Sequence, residues 1–185
     1  MADLISLNKS YTYAAGSSPN VSPNGAYPDT NSVEATDGII GAYSQSDVAH
    51  FGVLSAGYNP PTGGCNITID LGATYTLDHA RVYYYDPGGG IAGPSAIVIK
   101  GSTDNVNFDT LGSFSAPTDF QYGTGTSRWT SNLSISGNYR YIEFITTNSA
   151  DWCFLDEFEV YGSAGGAGLS PLNIRIGQRQ GVEID

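Results

Sequence analysis

A chain of 185 residues has room for one well-buried domain, and its length alone does not call for two. A net charge of -11 leaves seven Lys and Arg spread thinly along it, so no basic stripe exists to neutralise a phosphate backbone, and nucleic acid is not an expected partner. With 14% charged residues, 24 Gly and 13 Tyr, the composition speaks against surface helices and for a loop-rich all-β globule, while the acidity makes cation binding electrostatically easier.

The N-terminus, "MADLISLNKSYTYAAGSSPN", carries no basic segment followed by an apolar run of secretory length, and no stretch elsewhere could span a bilayer. The expectation is a soluble chain without a signal peptide of its own and without membrane insertion. The first sixty residues are dominated by Gly, Pro, Ser, Asn and Tyr, as in "AAGSSPNVSPNGAYPDTNS" and "SAGYNPPTGG". Such composition reads as long loops on a scaffold, where binding residues commonly sit.

From there, strand-length apolar runs bounded by turn residues recur. "NITIDLG" places Ile67, Ile69 and Leu71 on one face, and "ARVYYYD" follows after a short turn. "SAIVIKGS" comes next, and a tight turn at Asp104 to Asn107 leads into another strand, since Asn and Asp satisfy their own turn backbones. "NLSIS", "YRYIEFITT" and "FEVYG" complete at least seven strands, the pattern of a sandwich or barrel. No helical periodicity and no internal repeat is visible. Cys65 and Cys153 are too few for a disulfide framework or a Cys-rich zinc site; they form one disulfide or remain as two buried thiols.

After Gly162 come "SAGGAG" and then "LSPLNIRIGQRQGVEID", a tail outside the sandwich pattern. It reads either as a disordered end or as an extended segment, residues 169–185, that docks on the sandwich or a partner by β-augmentation. The expected organisation is a sandwich over residues 1–162 and a joint plus tail over 163–185.

The stretch "DWCFLDEFEVYG" sets Asp156, Glu157 and Glu159 close together in a chain poor in charge. Glu157 and Glu159, two apart on a strand, share a face and cannot flank a substrate as a glycosidase pair does. With His50 and His79 as the two histidines and no nucleophile or zinc-protease motif, the chain is not expected to be an enzyme.

At this point the residues resemble the discoidin-like family, that is, coagulation factor V/VIII C-type domains and family 32 carbohydrate-binding modules. The resemblance rests on "LNKSYTYAAG", "EATDG", "ITIDLGATYTLDHARVYYYD", "IKGSTDNVNFDTLGSF", "YRYIEFITT" and "LDEFEVYG", in family order over about residues 5 to 162. It implies a single jelly-roll-like, galactose-binding-like β-sandwich of about eight strands with a binding surface in the loops at one end, and a structural calcium near that end. Carried over position by position, Asp37 is the side-chain ligand of the turn and Glu157 the carboxylate of the last strand. Glu34, Ile39, Ala42 and Asp156 supply backbone carbonyls. The family often has a small polar residue where Ile39 and Ala42 stand, and a Trp shortly after that is absent here. Calcium readily mixes carboxylates with main-chain carbonyls, so this set is chemically reasonable.

For the ligand, an aromatic face that packs on the C–H face of a sugar beside fixed polar groups is the general requirement. The resemblance places Trp152, on the loop entering the last strand, as the platform, with His50 and Phe51 from the loop after the calcium turn. Arg128 and Trp129 add a cation and a second aromatic, Trp129 reading equally as core, and Tyr58 and Asp86 are weaker candidates. Along the closing stretch, Phe158 and Val160 are expected to face the core and Glu159 the solvent. The implied function is non-catalytic glycan recognition with galactose-type or related saccharides as partners. The alternative is a structural or adhesion subunit, such as an extracellular or virion surface decoration, that assembles through its tail.

Overall fold

A computed structural model describes residues 2–14, 29, 32–40, 51–54, 65–86, 91–115, 126–148 and 152–165, with backbone alone at 51–54, 126–128 and 152. Among the described residues ten strands form: β1 (Asp3–Leu4), β2 (Tyr11–Tyr13), β3 (Phe51–Leu54), β4 (Asn66–Asp86), β5 (Pro94–Ser102), β6 (Asp109–Ser115), β7 (Thr126–Trp129), β8 (Leu133–Ser134), β9 (Asn138–Asn148) and β10 (Trp152–Ala164). All ladders are antiparallel. The expected all-β class is therefore present, and no helix among the described residues is long and apolar enough to cross a membrane.

The two strands read from "NITIDLG" and "ARVYYYD" are one strand of 21 residues, β4. Gly72 lies at φ +83°, and the ladder to β9 shifts register between Asp70 and Tyr75, so the strand bends there without ending. Its first half pairs with β2 and β9, and β9 continues through β5 to β6. Its second half pairs with β10 on one side and with β7 and β8 on the other, while β1 and β3 line the far edge of β10. One connected hydrogen-bond ladder thus folds into two layers, because a strand that twists and bends can serve both.

Between the layers sits the core. Ile67, Ile69 and Leu71 face it from the first half of β4, as their alternation predicts, and Ala80, Val82 and Tyr84 from the second. Ile97, Ile99, Ile142 and Phe144 meet Cys153, Leu155, Phe158 and Val160 from β10. Phe144 and Phe158 touch edge to face across the gap, with ring centroids 5.1 Å apart. Cys65 and Cys153 are both buried free thiols. Burial raises both above the ordinary thiol range, so neither is an ionised nucleophile at neutral pH.

Candidate functional site

The acids of the closing stretch sit on a β-bulge. Leu155 pairs with Tyr84 and Phe158 with Val82, so three steps along β10 match two along β4. Leu155 and Phe158 both belong to the core, which leaves Asp156 and Glu157 together off the core side. They are nonetheless buried, at 0% and 2% exposure, because the segment 33–38 lies over them. Phe158 N–H donates to the Ala35 carbonyl at 2.9 Å, and Gly38 N–H donates to Glu157 Oε1 at 2.8 Å. The Asp37 carboxyl is hydrogen-bonded to Glu157 and also accepts the Ile39 N–H at 2.8 Å.

The turn needs glycine at 38. Its φ is +79°, and a Cβ there would stand 2.8 Å from Leu7 Cδ1. Gly38→Ala is expected to destabilise the fold by about 1–2 kcal/mol from the left-handed backbone alone, read as a lower urea midpoint; an unchanged midpoint would contradict the turn geometry.

Burial, then the hydrogen bond from the Asp37 side and the charges of Asp37 and Asp156, push the Glu157 carboxyl up to about 9, against the opposing pull of the Gly38 N–H. A carboxyl as buried as that of Glu157, held against a second carboxyl, is favoured by a proton or by a nearby cation. As a donor set, Asp37 and Glu157 supply hard oxygens beside a turn rich in main-chain carbonyls, which suits calcium. No group of three or more His, Cys, Asp or Glu side chains in metal-holding geometry occurs among the described residues; the expected set uses only two side chains. Glu34 is buried beside this turn and Ile39 is 59% exposed, while Ala42 lies outside the described residues.

One residue of this region escaped the sequence reading. Asp29, 1% exposed, accepts the hydroxyls of Tyr11 and Tyr13 on Oδ2 at 2.6 Å each, and the backbone N–H groups of Val33 and Glu34 on Oδ1 at 3.1 Å each. The signal was present in two halves: "YTY" puts both rings on one face of a strand, and an Asp followed by a polar run is a turn former. Nothing local joins the halves, which are 16 and 18 residues apart.

Among the described residues, the backbones of Phe51, Asp86, Arg128 and Trp152 lie toward one end of the second layer. Trp152 is the first residue of β10, paired with Leu54, and not part of a loop as expected. Phe51 opens β3 opposite Leu155, Asp86 closes β4 opposite Thr126, and Arg128 in β7 faces Tyr84. Asp86 is buried. His50 and Tyr58 lie outside the described residues, as does the tail from 166 onward; β10 itself runs to Ala164, past the boundary expected at 162.

One expectation changes on the outer face of β4 and β10. Glu159 does not lie in solvent: it is 7% exposed, accepts the Arg81 Nε–H at 2.5 Å and the Tyr161 hydroxyl at 2.8 Å. Arg81 pairs across the ladder with Glu159, so its stem and guanidinium cover the acid. Trp129 is half-buried on this same face, with the Arg81 guanidinium 3.8 Å from its ring centre and Tyr83 edge-on at 4.7 Å. The cation on Trp129 is thus Arg81 from β4, while Arg128 is its neighbour in sequence. His79 stacks on Tyr161 at 4.3 Å beside them.

The sequence matches no protein-family model and no curated protein. Solved structures do match. Chitosan-binding module 2 from a chitosanase/glucanase of Paenibacillus sp. IK-5, in complex with chitotriose, is 20% identical, with 85% of this chain and 99% of that one aligned at a TM-score of 0.51. A family 32 carbohydrate-binding module from Clostridium perfringens, in complex with GalNAc-β-1,3-galactose, is 16% identical over 86% of this chain and 99% of that one, with a TM-score of 0.53. The lectin domain of lectinolysin, complexed with Lewis B antigen, is 14% identical over 88% and 98%, with a TM-score of 0.57. The fold is the discoidin-like β-sandwich of family 32 carbohydrate-binding modules. The resemblance read from the sequence holds at that level.

Proposed function

We propose that this chain is a non-catalytic glycan-binding module whose binding end is held by a calcium ion. The observation that carries the reading is the strand order β3, β10, β4, β7 at one end of the second layer. It brings Phe51, Trp152, Asp86 and Arg128 onto four adjacent strands, across roughly 14 Å at the spacing of neighbouring strands. By strand alternation Trp152 falls on the outer sheet face with Tyr83, Tyr85 and Trp129, an aromatic set of the kind that packs on a sugar ring, whereas Phe51, Asp86 and Arg128 fall on the face of the core residues Leu155 and Tyr84. The shared fold with modules solved in complex with saccharides supports the same reading.

Asp37 and Glu157 would hold the ion through carboxylate oxygens, with the carbonyls of Glu34, Ile39, Ala42 and Asp156 completing the expected set. A divalent ion supplies the positive charge that two apposed carboxylates otherwise lack. Glu157 follows Trp152 by five positions on β10, so the turn that covers the bulge also stiffens the strand presenting the aromatic.

A glycan array containing chitooligosaccharides, GalNAc-β-1,3-galactose and Lewis B tests this. Wild type is expected to bind at least one saccharide, and Trp152→Ala to lose about 2 kcal/mol or more, roughly thirtyfold, as truncation of a central aromatic anchor does. No binding to any glycan at millimolar concentration rejects the proposal.

A further inference from the structure

We infer that Asp29, together with the hydroxyls of Tyr11 and Tyr13, is a positioning residue for the Asp37–Glu157 pair. The inference deepens the calcium reading above and takes the functional role of that pair from it. β2 is fixed to the core by its ladder with β4, Tyr11 opposite Ile69 and Tyr13 opposite Ile67. From there Asp29 carries the connection onward, with Tyr11 and Tyr13 on one carboxylate oxygen and the amides of Val33 and Glu34 on the other. Tyr11 closes the circuit, its hydroxyl oxygen accepting the Ala35 N–H at 3.1 Å.

Ala35 is where this clamp meets the acid bulge, since its carbonyl accepts the N–H of Phe158, the residue after Glu157. Three residues further on, Gly38 N–H reaches Glu157 itself. The segment between, carrying Asp37, is tied at both ends. An ionised carboxylate has only acceptors, and hydroxyl contacts of 2.6 Å are of the charge-assisted kind. Asparagine at 29 would keep an oxygen for the two amides, which cannot reorient, yet turn an N–H2 toward two hydroxyl donors. Asp29→Asn therefore loosens the clamp from β2 without removing the turn.

The test compares wild type, Asp29→Asn, Tyr13→Phe and a control core variant on the other layer, Ile99→Val. Two readouts are taken: amide hydrogen exchange at Ala35 and Gly38 under native conditions, and calcium affinity by calorimetry. Asp29→Asn is expected to speed exchange at both amides and to weaken calcium binding roughly 10–100-fold, the range for losing an outer-shell partner. Tyr13→Phe shifts both in the same direction by less, and Ile99→Val, matched for global stability, shifts neither selectively. Should Asp29→Asn fail to fold, Tyr13→Phe carries the test. Exchange and affinity that track global stability alike in all variants overturn the inference. Wild type that binds no calcium, with exchange still faster in Asp29→Asn, removes the calcium reading and leaves the positioning role standing.

Discussion

Phe158→Ala is expected to lower the unfolding free energy by about 3–5 kcal/mol, the cost of truncating a fully buried aromatic. Phe158 has no solvent exposure and meets Phe144 edge to face at 5.1 Å, so it joins β10 to β9 across the sandwich. Its backbone N–H also holds the Ala35 carbonyl. A domain of ordinary stability has about 5–15 kcal/mol in total, so the variant sits near the threshold of folding at 37 °C. Phe158→Leu, which keeps most of the volume, is expected to recover more than half of the loss. Urea unfolding measures both, and a loss under about 1 kcal/mol would mean the two layers are not packed through this residue.

The second large effect is electrostatic and appears when metal is removed. Glu157 titrates near 4.5 in the unfolded chain and is pushed up to about 9 in the folded one. Between those values the folded state binds the additional proton, so the contribution of Glu157 to metal-free stability is fully present below pH 4.5 and is lost as pH rises through that window. The slope is at most about 1.4 kcal/mol per pH unit for one proton. Glu157→Gln resembles the protonated form, so it is expected to flatten this dependence and to be more stable than wild type in chelator at pH 8.

On the proposed calcium reading, the ion is expected to stabilise wild type and not Glu157→Gln, by about 2.7 kcal/mol at a hundredfold excess over its dissociation constant. Thermal melts at pH 5 and pH 8, with chelator and with calcium, separate the cases. Identical curves for wild type and Glu157→Gln under all four conditions would remove both the proton and the cation from this site.

The acid site shows why its parts were unequally legible. Asp37 and Glu157 were placed as partners on resemblance, and the turn does set them against each other. Alternation along "FLDEFEVYG" predicted the inward Phe158 and Val160 but not the buried Glu159, because a residue on the outer face of a strand is exposed only if nothing on the next strand covers it. Arg81 does cover it, from 78 residues away. Asp29 was invisible for a related reason, since its four donors come from two segments that only the fold brings together.

What the sequence determined by itself was the period and the punctuation: period-two apolar runs that can bury a face only as strands, and glycines and asparagines where the backbone must turn. These are local properties, written in neighbouring residues. Tertiary structure alone decided that "NITIDLG" and "ARVYYYD" are one bent strand serving two layers, that a bulge turns Asp156 and Glu157 to the same side, and that Tyr11, Tyr13 and Asp29 converge on the turn above them. Register and burial depend on which strands become neighbours, and that choice is made by the packing of the whole core.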